Sequence, residues 1–223
     1  MALSTAQRAA GVLRDRIEGG SLPPGTRLSE EALGRDLGVS RNTLREAFRL
    51  LVHESLVVYR LNRGVFVRVI GPEDVTDIYR LRAALESAGV RAAAGAGPAL
   101  REAVTAAVDR AERAAAEGDW QEVGSADIAF HRALAALSGS PRTDAAMDRL
   151  LAELRLAFHA MPSPRRFHEP FLARNRTLAG LLEDGAYARA ESELTTYLDD
   201  ALDLILGAMR EREPHGGDTG RAS

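Results

Sequence analysis

The sequence predicts a mainly α protein in two parts: an N-terminal unit of three short helices with a small β-hairpin, then a C-terminal all-α bundle of six to seven helices. Three observations lead there. Apolar residues recur at three- and four-residue steps along most of the chain, the period of a helix with one buried face. Runs rich in β-branched residues stand out at Leu56-Val57-Val58-Tyr59 and Val65-Phe66-Val67-Arg68-Val69, with no further strand signal after Pro72. From residue 72 onward, Gly-Pro and Ser-Pro pairs divide the chain into segments of helix length.

The first predicted helix carries Leu3, Ala6, Ala10, Leu13 and Ile17 on one face and stops at Gly19-Gly20. A turn at Leu22-Pro23-Pro24-Gly25 follows. Ser29 is a good N-cap for a second helix, with Glu30 and Glu31 in the first turn, where the helix dipole favours acids, and Gly38 ends it. Ser40 caps a third helix with Leu44, Ala47, Phe48 and Leu51 on one side. Two helices joined by the tight turn Leu37-Gly38-Val39 have helix-turn-helix geometry. The two β-rich runs close on Arg60-Leu61-Asn62-Arg63-Gly64, a hairpin with a basic tip, so residues 1–70 read as a winged helix-turn-helix domain.

In the remainder, Pro72, Pro98, Pro141 and Pro164 each stand at the first position of a predicted helix, where a missing N–H costs nothing. Asp119 with Glu122 makes one more start by carboxylate capping. The expected helices cover 72–96, 98–117, 119–138, 141–161, 164–184 and 186–210, and the helical domain as a whole 72–212. Trp120, just inside a helix start, is expected in the core. The polar, glycine-rich tail 213–223 is expected to be disordered.

Composition narrows the chemistry. Of 223 residues, 45% are hydrophobic and 27% charged, ordinary globular values that exclude a low-complexity scaffold. The absence of cysteine removes disulfides, thiol catalysis and thiolate metal sites, and fits a reducing, cytoplasmic setting. All 29 basic residues are arginine, so a Schiff-base lysine and a lysine-bearing phosphate loop are both excluded. No apolar run approaches the roughly 18 residues that span a bilayer. Charge is uneven: residues 1–70 hold 11 Arg against 7 acids, residues 72–223 hold 18 against 25. A basic N-terminal unit points to a polyanionic partner.

Ser40-Arg41-Asn42-Thr43-Leu44-Arg45 is the first constellation that carries chemistry. Arg41 and Arg45, four apart, share a face at the start of the third helix while Leu44 and Phe48 turn inward. Such a helix end fits a DNA major groove, where an arginine fork matches O6 and N7 of guanine and a good bidentate pair discriminates by about 1–3 kcal/mol. Ser40, Thr43 and the free amides of the helix start suit a phosphate. Asn62 and Arg63 at the wing tip suit a neighbouring phosphate or the minor groove. Without that context, the same arginines would read as solvated charges on an amphipathic helix.

The segments Gly25-Thr26-Arg27-Leu28-Ser29-Glu30, Leu37-Gly38-Val39-Ser40-Arg41-Asn42-Thr43-Leu44-Arg45-Glu46-Ala47 and Asn62-Arg63-Gly64-Val65-Phe66-Val67 resemble the DNA-binding domain of the GntR family of bacterial transcription regulators. The resemblance implies DNA contacts by Ser40, Arg41, Thr43 and Arg45, with Gly64 letting the wing approach the backbone. One position departs. Where many members carry an arginine early in the second helix this chain has Glu31, and no contact is carried over to it.

Asp127 and His131, four apart on one helix, form the second constellation. Their spacing allows either a shared divalent ion or a carboxylate–histidine hydrogen bond inside a bundle. The stretch Asp127-Ile128-Ala129-Phe130-His131-Arg132-Ala133-Leu134, with Arg82-Ala83-Ala84-Leu85-Glu86 before it, resembles the FCD ligand-binding domain of the FadR subfamily, and the whole resemblance covers residues 5 to 210. It implies an effector pocket around Arg82, Asp127 and His131, and two further histidines that complete a metal site. Asn175 and Tyr197 stand where those histidines are expected. Two readings stay open: a weak site for zinc, nickel or manganese on Asp127 and His131, with Asn175 or His168 nearby, and a metal-free pocket in which Asn175 and Tyr197 hydrogen-bond an effector. Arg82 and Glu86 are spaced for an intrahelical ion pair, and Arg82 is also placed to anchor a carboxylate. His53, His159 and His215 show no partner pattern.

The resulting expectation is a homodimeric repressor that binds a short palindromic operator in double-stranded DNA and answers to a small effector, an organic acid or acyl compound. The alternatives are a constitutive DNA binder with a vestigial pocket and a metal-dependent helical enzyme.

Overall fold

The structure, a computed structural model, describes residues 3–212 apart from His159, Ala160 and Pro162; the expected disorder of 213–223 lies outside the described residues, as do His159 and His215. The N-terminal unit consists of α1 (Thr5–Glu18), β1 (Arg27–Leu28), α2 (Glu30–Asp36), α3 (Arg41–His53), β2 (Val57–Arg60) and β3 (Gly64–Val67). Ser4 caps α1 reciprocally with Gln7, and Ala9, Ala10, Leu13 and Ile17 are buried against α3. Leu3, expected on that face, precedes the cap and is exposed. Gly38, at φ +63°, makes the turn between α2 and α3 in a conformation that a side chain would strain. Leu44, Ala47, Phe48 and Leu51 of α3 are all fully buried.

The hairpin expected from sequence is part of a three-stranded antiparallel sheet in the order β1-β3-β2. Val57 pairs with Val67 and Arg60 with Gly64, while Arg27 pairs with Phe66 and Leu28 with Val65. The added strand β1 has two residues, and only its distant partner makes it a strand. Val69, included in the expected run, lies beyond β3 and is exposed.

The second part consists of α4 (Pro72–Ala92), α5 (Pro98–Glu117), α6 (Trp120–Ala136), α7 (Pro141–Phe158), α8 (Pro164–His168), α9 (Leu172–Glu183) and α10 (Tyr187–Arg212), with 3₁₀ turns at Ala93–Gly95 and Glu169–Phe171. Each of the four prolines opens a helix as expected, and Asp119 accepts the Glu122 N–H at 3.0 Å to cap α6. The single helix expected over 164–184 is broken at Glu169–Phe171, because Pro170 has no N–H to give and crowds the preceding turn. The last helix continues through Arg212. Trp120 is half-buried instead of in the core, with the Arg165 guanidinium 5.2 Å from its ring centre.

Helix α6 lies at the centre, touched by α4, α5, α7 and α8. It approaches α4 so closely at Gly89 that a Cβ there would stand 1.9 Å from the carbonyl oxygen of Leu134. Only glycine permits that crossing, and it is the crossing that brings polar residues of α4 and α6 together. Buried apolar side chains of the two parts form one connected cluster. Across their boundary, Arg68 bonds to Asp74 at 2.7 Å and to Glu153 at 2.7 Å, and Arg155 lies 3.6 Å from Glu18.

Candidate functional site

The start of α3 is an exposed, basic helix end. The Ser40 hydroxyl accepts the Thr43 N–H at 3.2 Å and meets the Thr43 hydroxyl at 2.8 Å, so both expected phosphate ligands are also the cap of the helix. Arg41 and Asn42 are exposed and have no hydrogen-bond or ion-pair partner among the described residues. Arg45 is exposed as well, but its Nε donates to both carboxylate oxygens of Glu30 at 3.0 and 3.1 Å. That hydrogen bond raises the Arg45 pKa further. In the sequence Glu30 signals only the helix dipole; its reach across the turn to α3 has no local signal. Glu31 pairs with Arg35 along its own helix.

At the wing, Asn62 and Gly64 have φ of +56° and +100°, and Leu61, Asn62 and Arg63 are exposed at the tip. Gly64 is therefore required by its own turn. A Cβ at Gly64 would come 3.6 Å from the Arg27 Nε, so the β1 arginine lies against the wing and adds a cation that the sequence reading did not single out. Arg60 rests its guanidinium over the Phe66 ring at 4.7 Å.

Inside the helical part, all five residues expected at the pocket meet in one buried cluster: Arg82, Asp127, His131, Asn175 and Tyr197. Two more residues join them, Glu86 and His168. His131 Nδ1 is 2.6 Å from Glu86 Oε2, and its Nε2 is 3.2 Å from the Tyr197 hydroxyl. Asp127 Oδ1 accepts from Asn175 Nδ2 at 2.8 Å and from the Tyr197 hydroxyl at 3.3 Å. His168 Nδ1 lies 3.4 Å from Asp127 Oδ2, within ion-pair range but off the line of a hydrogen bond. Arg82 Nε donates to Glu86 Oε1 at 2.9 Å, the intrahelical pair its spacing predicted, and its guanidinium stands 4.7 Å from the Tyr79 ring centre.

Burial raises the carboxyl pKa of Glu86, but His131 and Arg82 outweigh it and hold the group below its usual value. Asp127 follows the same pattern: burial opposes the charge, and His168, His131 and Asn175 hold it well below the usual carboxylate range. Burial pushes the Tyr79 hydroxyl up to about 12 and the Tyr197 hydroxyl well above its usual value, so both stay neutral at pH 7.

Residues 77–200 match the FCD domain family, and residues 5–67 match the bacterial regulatory proteins of the gntR family. The chain belongs to the GntR family. It is 30% identical over 199 residues to the Nta operon transcriptional regulator of Aminobacter aminovorans, covering 89% of this chain and 95% of that one. Over 85 residues it is 38% identical to the gluconate operon transcriptional repressor of Bacillus subtilis, covering 38% of this chain and 34% of that one. A crystal structure from Rhodococcus sp. RHA1, described as a GntR transcriptional regulator, has 47% identity and a TM-score of 0.85, covering 92% of this chain and 99% of that one. The chain is accordingly a DNA-binding transcription regulator and not an enzyme. No helix among the described residues is long and apolar enough to cross a membrane.

The donor set of this regulator does not fit the divalent metal that the FCD resemblance implied. Both ring nitrogens of His131 are engaged, one by Glu86 and one by Tyr197, and its Nε2 lies 3.9 Å from Asp127 Oδ1. Asn175 points its amide nitrogen, a donor, at Asp127. No three His, Asp or Glu side chains among the described residues converge as a metal needs.

Proposed function

We propose that this GntR-family chain is a homodimeric repressor that reads a short palindromic operator with Arg41, Arg45 and Asn42, while Ser40, Thr43 and the wing residues Asn62, Arg63 and Gly64 seat it on the phosphates. The observation that supports this reading is the free Arg41 side chain at an exposed helix start whose cap residues also face solvent. The repressor role rests on the likeness of the N-terminal part to the gluconate operon repressor. The domain limits follow as 1–70 for DNA reading and 72–212 for effector binding and dimerisation, in a cytoplasmic protein. Arg41→Ala is expected to weaken binding by about 1–3 kcal/mol on the operator fragment that the protein selects from a random pool, and to relax specificity at one base pair. Equal affinity of Arg41→Ala, Arg45→Ala and the parent would overturn the assignment of the reading helix.

The effector, in this reading, acts on the buried cluster of the helical domain. Arg82 Nη2 and Asn175 Oδ1 are buried without a partner among the described residues. Such groups cost about 1–3 kcal/mol each and await a complement. A small organic acid would supply one for Arg82. The constitutive reading is favoured by a different observation, the void beside Arg82, which measures about 10 Å³ and has room for one water at most. Operator affinity that does not respond to any of a panel of carboxylic acids and acyl compounds would select it.

A further inference from the structure

We propose that the cleft between α1 and the face made by α6, α7 and α8 is a binding site for a small amphipathic anion, whose negative group takes Arg155 from Glu18. The site is separate from the buried cluster, and its effect on DNA rests on the reading of this chain as an operator-binding regulator.

The cleft has two lobes of about 610 and 570 Å³, within the range of about 300–1,000 Å³ typical of small-molecule sites. Glu18, Ser125, Ile128 and Arg155 line both lobes and so mark the passage between them. The lobes differ in chemistry. The first is walled by Trp120, Phe158 and Phe167 beside Gly19, Gly20 and Gly124, and its carboxylates, Asp15 and Glu18, disfavour a negative end there. A Cβ at Gly124 would come 2.8 Å from His168 Nε2, so the missing side chain leaves the His168 edge open to the cleft. The second lobe has five arginines against three carboxylates. Arg14 is spent on Glu54 through two hydrogen bonds, Arg132 on Asp148 and Arg110 on Glu122, whereas Arg149 has no partner among the described residues. An apolar body therefore fits one lobe and a negative end the other.

Arg155 is the residue at which such a ligand would act. Its Nη2 donates to Ser125 Oγ at 3.1 Å, but its Nε stands 3.6 Å from Glu18 Oε2, too far for a hydrogen bond. Desolvation pushes the Glu18 carboxyl up by more than Arg155 draws it down, a sign that the pair is poorly matched. A free carboxylate, sulfonate or phosphate can meet the guanidinium fork at hydrogen-bond distance, which Glu18 does not. Glu18 is the last residue of α1 and Arg155 lies on α7, so the exchange releases one of the ion pairs that tie the DNA-reading part to the helical part. By linkage, where operator favours the paired arrangement and the ligand the released one, each lowers the other's affinity by the same factor.

Trp120 is the single tryptophan of the sequence and stands in the apolar lobe, so the cleft carries its own reporter. The probe is anilinonaphthalenesulfonate, a flat apolar body with one sulfonate, added to the full chain while energy transfer from Trp120 to bound dye is recorded. Saturable transfer is expected, weakened about tenfold in Arg155→Gln, the size of one lost charge-assisted hydrogen bond. Ser125→Phe, which fills the passage, is expected to remove it, and the surface change Arg101→Gln on α5 to leave it unchanged, with circular dichroism confirming that each variant is folded. No saturable transfer, or equal transfer in the parent and in Arg155→Gln, overturns the site. Operator affinity without dye tests the regulator reading separately. Dye that fills the cleft and leaves operator affinity unchanged overturns the exchange at Glu18.

Discussion

Replacing Gly89 by alanine is expected to destabilise this protein, although alanine is the better helix former and the position lies inside α4. A Cβ at Gly89 would stand 1.9 Å from the Leu134 carbonyl oxygen and 2.9 Å from its carbonyl carbon. Both are backbone atoms of α6, which cannot rotate aside as a flexible side chain would. Ordinary contact begins at 3.4 Å, so the two helices must part by about 1.5 Å at the crossing. Overpacking of this kind costs about 1–3 kcal/mol, and contact with two rigid backbone atoms belongs at the upper end. Helix propensity returns at most about 1 kcal/mol. The net loss is about 2 kcal/mol, which lowers Tm by about 4–8 °C in a chain of this length. Thermal unfolding followed by circular dichroism measures it, with Gly180→Ala as the control. Gly180 lies within α9 with nothing within 4 Å of its added Cβ, so there alanine is expected to raise Tm. A Gly89→Ala variant as stable as the parent, beside a stabilised Gly180→Ala, would refute the close crossing of α4 and α6.

Further outcomes are expected at the other sites. Glu30→Gln removes a negative charge beside the reading helix and loosens its hold on Arg45, so operator affinity should rise, most at low salt, read by fluorescence anisotropy over a salt series. Acid should destabilise the helical domain through Glu86, which Arg82 and His131 face at close range. Its folded pKa lies below the unfolded one, so its stabilisation is complete above the ordinary glutamate value of about 4.3 and drains away as pH falls below that value and through the lower folded one. Glu86→Gln should flatten that part of a Tm-against-pH curve, and an unchanged curve would show that the carboxylate is not held as described. Zinc, nickel and manganese should leave the parent's Tm unchanged. Asn175→His with Tyr197→His should create a zinc response, read by elemental analysis and thermal shift.

Local chemistry made most of the fold legible in the sequence. Pro72, Pro98, Pro141 and Pro164 open helices because an N-terminal helical residue needs no N–H, and Ser29, Ser40 and Asp119 cap because their oxygens reach back N–H groups three residues on. What depends on a distant partner was not legible. Arg27 and Leu28 follow a Pro-Pro-Gly turn and become a strand only by pairing with β3. Pro170 sits in an otherwise helical pattern, and the turn it imposes brings His168 to Asp127. In the site, the i,i+4 spacings of Arg82 with Glu86 and of Asp127 with His131 were visible. The link from Glu86 to His131, 45 residues apart, required the α4–α6 crossing at Gly89. The same limit hid Glu30 at Arg45 and left Trp120 assigned to a core that it only borders.

Arg68 turns the short segment between β3 and α4 into a stiff joint, since its guanidinium bonds to Asp74 in the first turn of α4 and to Glu153 on α7. Were α4 to tilt as a rigid rod about its close crossing at Gly89, it would act as a lever. From there to Pro72 the arm is about 25 Å at 1.5 Å of rise per residue, so a tilt of about 3° moves the first turn of α4 by about 1.3 Å. That travel stretches a 2.7 Å bond from Arg68 to Asp74 past the useful limit of about 3.5 Å. Glu86, on the same arm but only three residues from the fulcrum, would shift by only a few tenths of an ångström over the same tilt. A displacement at the buried cluster too small to disturb its own hydrogen bonds is thus multiplied several-fold where the wing is attached.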